Sequence, residues 1–185
     1  MRAGRLRPQP EPTSRRPSIQ PDQNIMEMSG QSRIPASQDK VWAALNDPAV
    51  LKASIPGCQA LEKTSDTEMT ATVQAKVGPV KATFNGHVTL SNIDPPNGYT
   101  ITGEGKGGVA GFAKGGADVK LTPDGDGTLL RFSHRGLTVS DGQGFHPGTH
   151  AYLDRLEAYL GGEPLPDWGR RYQEVAQTLG TTWTR

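Results

Sequence analysis

The sequence predicts an α+β domain in which an antiparallel sheet packs its apolar face against a long helix near the C-terminus. Three observations predict it. Two consecutive runs between Glu68 and Leu90 alternate strictly between polar and apolar residues. Further alternating runs are separated by turn-forming pentapeptides, and one segment after Gly144 repeats its apolar residues every three to four positions. Together they describe a curved antiparallel sheet of about six to seven strands wrapped around one long helix, with two short helices after the first strand.

The chain has 185 residues, enough for one domain and a tail. Residues 1–25 combine Pro8, Pro10, Pro12, Pro17 and Pro21 with arginines and almost no large apolar groups, so a disordered arm is expected there. Met26 and Met28 stand where the patterning begins, which marks a possible translation start; the other reading of the arm is a basic tether to anionic partners. The domain is expected over residues 26–162 and a partly helical tail over 163–185. The arm has a balance of +3, which leaves residues 26–185 at −2 within a total of +1. A folded part that is slightly acidic has no footprint for nucleic acid. Cys58 is the only cysteine, so no internal disulfide or thiolate cluster is expected and a reducing cytoplasm fits. No run approaches the roughly 20 apolar residues that span a bilayer, so a soluble protein is expected.

A strand from Met26 ends near Ile34, and Ser37 is placed to cap a helix over residues 38–46 whose buried stripe is Val41, Trp42 and Leu45. Asp47-Pro48 opens a second short helix, which Ile55-Pro56-Gly57 ends. Met69, Ala71, Val73, Ala75 and Val77 then point one way, and Thr70, Thr72, Gln74 and Lys76 the other. Gly78-Pro79 turns the chain into a partner strand carrying Val80, Ala82, Phe84, Gly86, Val88 and Leu90 on one face. Further strands are expected near residues 99–105, 113–121 and 128–133, divided by Asp94-Pro95-Pro96-Asn97-Gly98 and Pro123-Asp124-Gly125-Asp126-Gly127. The long helix carries Tyr152, Leu153, Leu156, Tyr159 and Leu160 inward and Asp154, Arg155 and Glu157 outward, and Gly161-Gly162 stops it.

The inward sheet face is rich in small residues: Ala71, Ala75, Ala82, Gly86, Gly103, Gly105 and Ala117. A filled core would use larger ones. One reading is a cavity for an apolar ligand, with Trp42, Phe84, Tyr99, Phe112, Phe132, Leu153 and Leu156 as its lining, joined by Ala71, Val73, Ile101 and Tyr152. The other is that large side chains from the helices fill the space. Gly103-Glu104-Gly105-Lys106-Gly107-Gly108 matches GxGxxG but joins two strands, so it is no dinucleotide turn; residues 103–116 read instead as a long glycine-rich hairpin at the mouth of the cavity. His146, His150 and Asp154 are four apart, yet Pro147 and Gly148 should break the first turn and no HExxH glutamate is present, so no metal site is expected. Cys58 lacks a nearby base and reads as structural. No catalytic constellation is evident, and a cyclase- or hydrolase-like role would have to rest on Tyr99, Tyr152 and His150.

Met26-Glu27-Met28-Ser29-Gly30, Ile34-Pro35-Ala36, Lys40-Val41-Trp42, Leu45-Asn46-Asp47-Pro48 and Ile55-Pro56-Gly57-Cys58 resemble the start of the CoxG family of carbon monoxide dehydrogenase proteins. Val77-Gly78-Pro79-Val80-Lys81, Asp94-Pro95-Pro96-Asn97-Gly98-Tyr99 and Gly108-Val109-Ala110-Gly111-Phe112-Ala113-Lys114-Gly115-Gly116-Ala117 extend the likeness over residues 26–131. After Phe132, His134-Arg135-Gly136-Leu137 and Tyr152-Leu153-Asp154-Arg155-Leu156 look more like the chaperone-ATPase activator (AHSA-like) branch of the same superfamily. The resemblance implies a helix-grip START-like (SRPBCC) fold and a non-enzymatic accessory role for a molybdenum-containing CO dehydrogenase or related hydroxylase. It also implies a bound quinone or lipid in place of a cofactor, and a cytoplasmic location with peripheral contact to the inner face of the membrane. The alternative is a protein-interaction or assembly module without a ligand.

Overall fold

The computed structural model describes residues 25–77, 80–106 and 112–180, so the expectations for the arm, for Gly78-Pro79 and for the tip around residues 107–111 lie outside the described residues. Among the described residues the order is β1 (Ile25–Ile34), α1 (Gln38–Leu45), α2 (Pro48–Ser54), β2 (Cys58–Lys63), β3 (Glu68–Val77), β4 (Val80–Asp94), β5 (Gly98–Lys106), β6 (Phe112–Asp124), β7 (Gly127–Thr138), α3 (Val139–Gly161) and α4 (Trp168–Gly180). The strands form one open antiparallel sheet in the order β1-β7-β6-β5-β4-β3-β2. The first strand thus closes onto the last, and β1 and β2 are the two edges.

Register converts the alternation into a face. Leu90, Ile101, Ala117, His134 and Met28 lie in one row across β4, β5, β6, β7 and β1. The next row holds Tyr99, Val119, Phe132 and Gly30. Against these rows the helices bury a single cluster that includes Ile34, Val41, Leu45, Leu121, Leu130, Leu153 and Leu156. Each such side chain contributes about 1.5–3 kcal/mol when removed from water.

Local chemistry sets the helix ends. Asp47 accepts a hydrogen bond from the Ala49 N–H at 2.8 Å and Pro48 occupies the first turn of α2. Gly57 ends the segment at φ +69°, where a Cβ would lie 2.1 Å from the Gln74 carbonyl oxygen. Ser37 does sit before α1, but its side chain makes no cap hydrogen bond. The buried stripe of α1 is Val41, Ala44 and Leu45, and Trp42 is only partly buried. Strand β2 is an addition to the expected elements; it pairs with β3 through a register shift between Cys58 and Ala60. The ladder of the glycine-rich hairpin runs to Lys106 in β5 and from Phe112 in β6, one residue beyond the expected strand ends.

Helix α3 begins at Val139, ahead of Gly144, and contains Pro147. Proline removes one helical hydrogen bond, yet Pro147 is buried here and the helix runs on. Packing accounts for it: α4 lies against this turn, with the Trp168 ring at ordinary contact distance, 3.5 Å, from where a Cβ on Gly148 would sit. The tail therefore docks on α3, held also by Arg171, which bridges Asp154 and Glu174.

Arg155 corrects the expectation of an outward charged face. Its Nε donates to the Ser54 carbonyl at 3.0 Å, Nη2 to the Ala53 carbonyl at 2.9 Å and Nη1 to the Pro166 carbonyl at 2.6 Å. A cation on the open carbonyls at the C-terminal end of α2 also meets the negative pole of that helix. Replacing Arg155 with alanine is expected to lower the unfolding free energy by about 2 kcal/mol in urea titrations, with lysine recovering only part of the loss. The hydroxyl of Ser54 is fully buried with no hydrogen-bond partner among the described residues, so Ser54→Ala should raise stability by about 1 kcal/mol in the same titration.

Candidate functional site

The inner sheet face divides into a covered half and an uncovered one. Helix α3 packs on β1, β7, α2 and α4, and the large buried residues lie beneath it. Toward β3, β4 and β5 the inward residues Ala71, Val73, Phe84, Val88 and Ile101 are only half-buried. Gly86, Gly103 and Gly105 are half-buried there too, with Gly115 of β6 beside Gly103. A Cβ built on Gly86, Gly103 or Gly105 meets only the sheet's own main chain and Val88, at 3.6 Å or more, and one built on Gly115 meets nothing within 4 Å among the described residues. The helices make their main contacts with β1, β2, β6 and β7 rather than with this floor. Along β5 from Tyr99 to Gly105 it extends about 20 Å.

The end of the floor nearest the helices has an aromatic wall. Trp42 from α1 stands edge-on to Tyr99 with ring centroids 5.5 Å apart. Tyr99 is buried and its hydroxyl donates a long 3.5 Å bond to the Leu45 carbonyl. Tyr152 from α3 is half-buried and packs against the core. Burial pushes both phenols well above their ordinary ionisation range, and Tyr99 adds to the shift of Tyr152.

The expected lining residues fall into distinct positions. Trp42, Tyr99, Ile101 and Tyr152 surround the aromatic end, while Val73 pairs with Phe84 and Ala71 with Gly86 along the floor. Phe132, Leu153 and Leu156 belong to the packed core behind the wall. The ring of Phe132 lies over β1, where a Cβ on Gly30 would come within 2.6 Å of it. Phe112 pairs with Lys106 in the β5–β6 ladder, and its side chain lies outside the described residues. Gly115 joins the floor in addition to the expected residues; its alternation with Ala117 is the signal that places it there.

A second cluster lies where α3 crosses β7. His134 is bonded through Nε2 to the Thr149 hydroxyl at 3.1 Å, and His134 and His150 stand edge-on to Phe132 with centroids 5.6 and 5.8 Å away. His146 and His150 are 4.8 Å apart, brought together by the unbroken helix. Among the described residues no three His, Cys, Asp or Glu side chains are placed to hold a metal ion. Cys58 is half-buried and its thiol donates to the Ala60 carbonyl at 3.3 Å, with burial pushing its pKa up against the pull of Lys52.

The outer face is different in kind. It bears two shallow grooves, of about 420 Å³ beside Glu62, Thr72, Asn85, His87 and Lys106, and about 470 Å³ beside Gln31, Asp118, Lys120 and Arg131. Polar alternates of the strands supply much of their walls, with Ala60, Ala71, Gly86 and Gly105 also reaching the first groove and Gly30 and Phe132 the second; Asp118 is engaged by Arg135 at 2.7 Å.

An open antiparallel sheet closed by its first strand, gripping a long C-terminal helix and leaving half of its concave face bare, is the helix-grip architecture of START-like proteins. The chain belongs to the carbon monoxide dehydrogenase CoxG family, whose sequence profile matches residues 30–138. Comparison with curated proteins returns no match. Among solved structures, CalU16 from Micromonospora echinospora is similar at TM-score 0.63 and 20% identity, over 85% of this chain and 88% of its own. Mll3558 from Rhizobium loti is similar at 0.60 and 22%, over 72% and 96%, and Ara h 8.0201 at 0.58 and 16%, over 75% and 99%. At these identities the likeness concerns the fold alone.

The histidine cluster has a consequence for stability. Burial lowers the pKa of His134, His146 and His150; His146 is lowered further by the other two, and His150 is pulled up by Asp154 and down by Arg171. Below about pH 6.5 the unfolded chain takes up protons that the folded one resists, so stability is complete above that value and is lost as pH falls through it. Urea titrations between pH 7.5 and 5.5 should show the decline, and His146→Gln with His150→Gln should flatten it.

Proposed function

We propose that this protein is an accessory carrier which holds a hydrophobic small molecule, a quinone or a lipid, between the bare half of its sheet and the helices. In this reading it serves a molybdenum-containing CO dehydrogenase or related hydroxylase, exchanges its cargo at the inner face of the membrane, and is not itself a catalyst. The observation that carries the reading is the floor of Gly86, Gly103, Gly105 and Gly115, set away from the main helix contacts, beside the aromatic pair of Trp42 and Tyr99. Apolar walls with few polar groups suit a ligand recognised by shape and burial. Family membership supports the accessory role. The two phenols, held in their neutral form, favour binding over acid–base chemistry.

The test is native mass spectrometry of protein taken from its own host, with organic extraction of whatever accompanies it. A stoichiometric apolar molecule is the expected result. A clean protein that also refuses added quinones and lipids would sink the carrier and favour a docking module. Because a side chain at Gly115 meets open space, Gly115→Leu should leave the melting temperature within a few degrees of wild type while weakening ligand uptake at least about tenfold.

A further inference from the structure

We propose that the contact between the first half of α3 and β7 is an acid-sensitive latch: protonation of His134, His146 and His150 releases α3 from the sheet as far as His150, while the second half of the helix stays seated. The inference concerns the placement of the helix and stands apart from the carrier reading.

Three of the chain's four histidines meet in this contact. His134 lies on the inward row of β7 between Ala117 of β6 and Met28 of β1. His146 and His150 come from α3, about one turn apart, with ring centroids 4.8 Å from each other. His134 is bonded to the hydroxyl of Thr149, the residue before His150, at 3.1 Å, and Phe132 stands edge-on to both His134 and His150. All three imidazoles are half-buried. Neutral rings pack in such a place at little cost, whereas cations this close and partly withdrawn from water repel one another.

The surroundings do not offset that charge. Among the described residues, the other charged groups acting on the cluster are Asp154 of α3 and Arg171 of α4, opposite in sign and bonded to each other. Arg135, next to His134 in β7, is paired with Asp118, and Arg155, where α3 meets α2, is committed to main-chain carbonyls. Met28 and Ala117, the neighbours of His134 across the sheet, carry no charge. Burial, and for His146 the other two rings, holds the histidines below their ordinary pKa, so a state that frees the rings takes up protons below about pH 6.5. The two halves of α3 respond differently. The first contains Gly142, Gly144, Pro147 and Gly148, poor helix formers, and the Trp168 ring beside Gly148 gives a hold that does not change with pH. The second carries buried Leu153 and Leu156 and the three carbonyl bonds of Arg155, none of which titrates in this range. Acid therefore acts on the first half alone.

The experiment is amide hydrogen exchange followed by mass spectrometry on the full chain at pH 7.5 and pH 5.5, with each rate corrected for the intrinsic effect of pH. Each histidine freed by opening contributes up to about tenfold at pH 5.5. The expected result is a loss of protection of at least about 30-fold over residues 143–150, while residues 153–161 and strands β6 and β7 stay protected. In His146→Gln with His150→Gln the loss should shrink to about tenfold or less, the share of His134. Protection over residues 143–150 that does not change with pH would overturn the latch. So would a sheet and a second half of α3 that lose protection together with the first, since the chain would then be unfolding as a whole. Both of these outcomes are read on the wild-type protein, so the test holds even where the double variant fails to fold; a folded double variant that keeps the full response would also overturn the proposal.

Discussion

The guanidinium of Arg155 is the fixed point from which the rest of the arrangement follows. It ties α3 to the last carbonyls of α2 and to the segment leading into α4, so three pieces of chain distant in sequence share one side chain. Held there, α3 lies along β7 and β1 rather than across the middle of the sheet. That offset decides which part of the concave face is covered. Leucines, Phe132 and Met28 fill the covered part, and the remainder is left to small residues.

The glycines of this chain consequently fall into two groups with different physical causes. Gly57 and Gly98 have positive φ, and a Cβ on either would collide with a carbonyl oxygen at 2.1 Å; Gly30 would meet Phe132 at 2.6 Å. Those positions are imposed by the fold. Nothing comparable constrains Gly86, Gly103, Gly105 or Gly115, where a side chain would find ordinary contacts or none. Glycine inside a strand costs roughly 0.5–1 kcal/mol relative to alanine. Four unforced glycines on neighbouring strands, all on the inner face of the sheet, are therefore not accounted for by close packing among the described residues.

Much of this was legible in the amino-acid sequence because strand alternation reports directly on which face is buried. The runs from Glu68 to Leu90 and the sparse side chains of the inner face carry the sheet and its thin half. The rest is hidden for identifiable reasons. Cys58–Lys63 is six residues with a bulge and no clean alternation, so β2 becomes a strand only through β3. Lys106 and Phe112 look like part of a hairpin turn because glycine dominates their surroundings, but pairing between β5 and β6 carries the ladder out to them. The first turns of α3 contain Gly142, Gly144, Pro147 and Gly148, a poor helical composition, and packing against α4 supplies what propensity does not. The role of Arg155 is hidden for a similar reason, since an arginine among charged neighbours on a helix reads as solvated until α2 is seen beside it.

The position of the bare floor also bears on how binding and stability are linked. The half-buried side chains of Ile101, Val73 and Phe84 leave apolar surface in water that a filled core would remove, at about 25 cal/mol per Å². Anything that covered this surface in the folded state alone would raise stability by mass action. The helix that would respond is α3, because its seating decides how far the helices reach over the sheet and Arg155 fixes that seating through the carbonyls of Ala53, Ser54 and Pro166. Cover over the half-buried strands and the seating of α3 are therefore two views of one equilibrium.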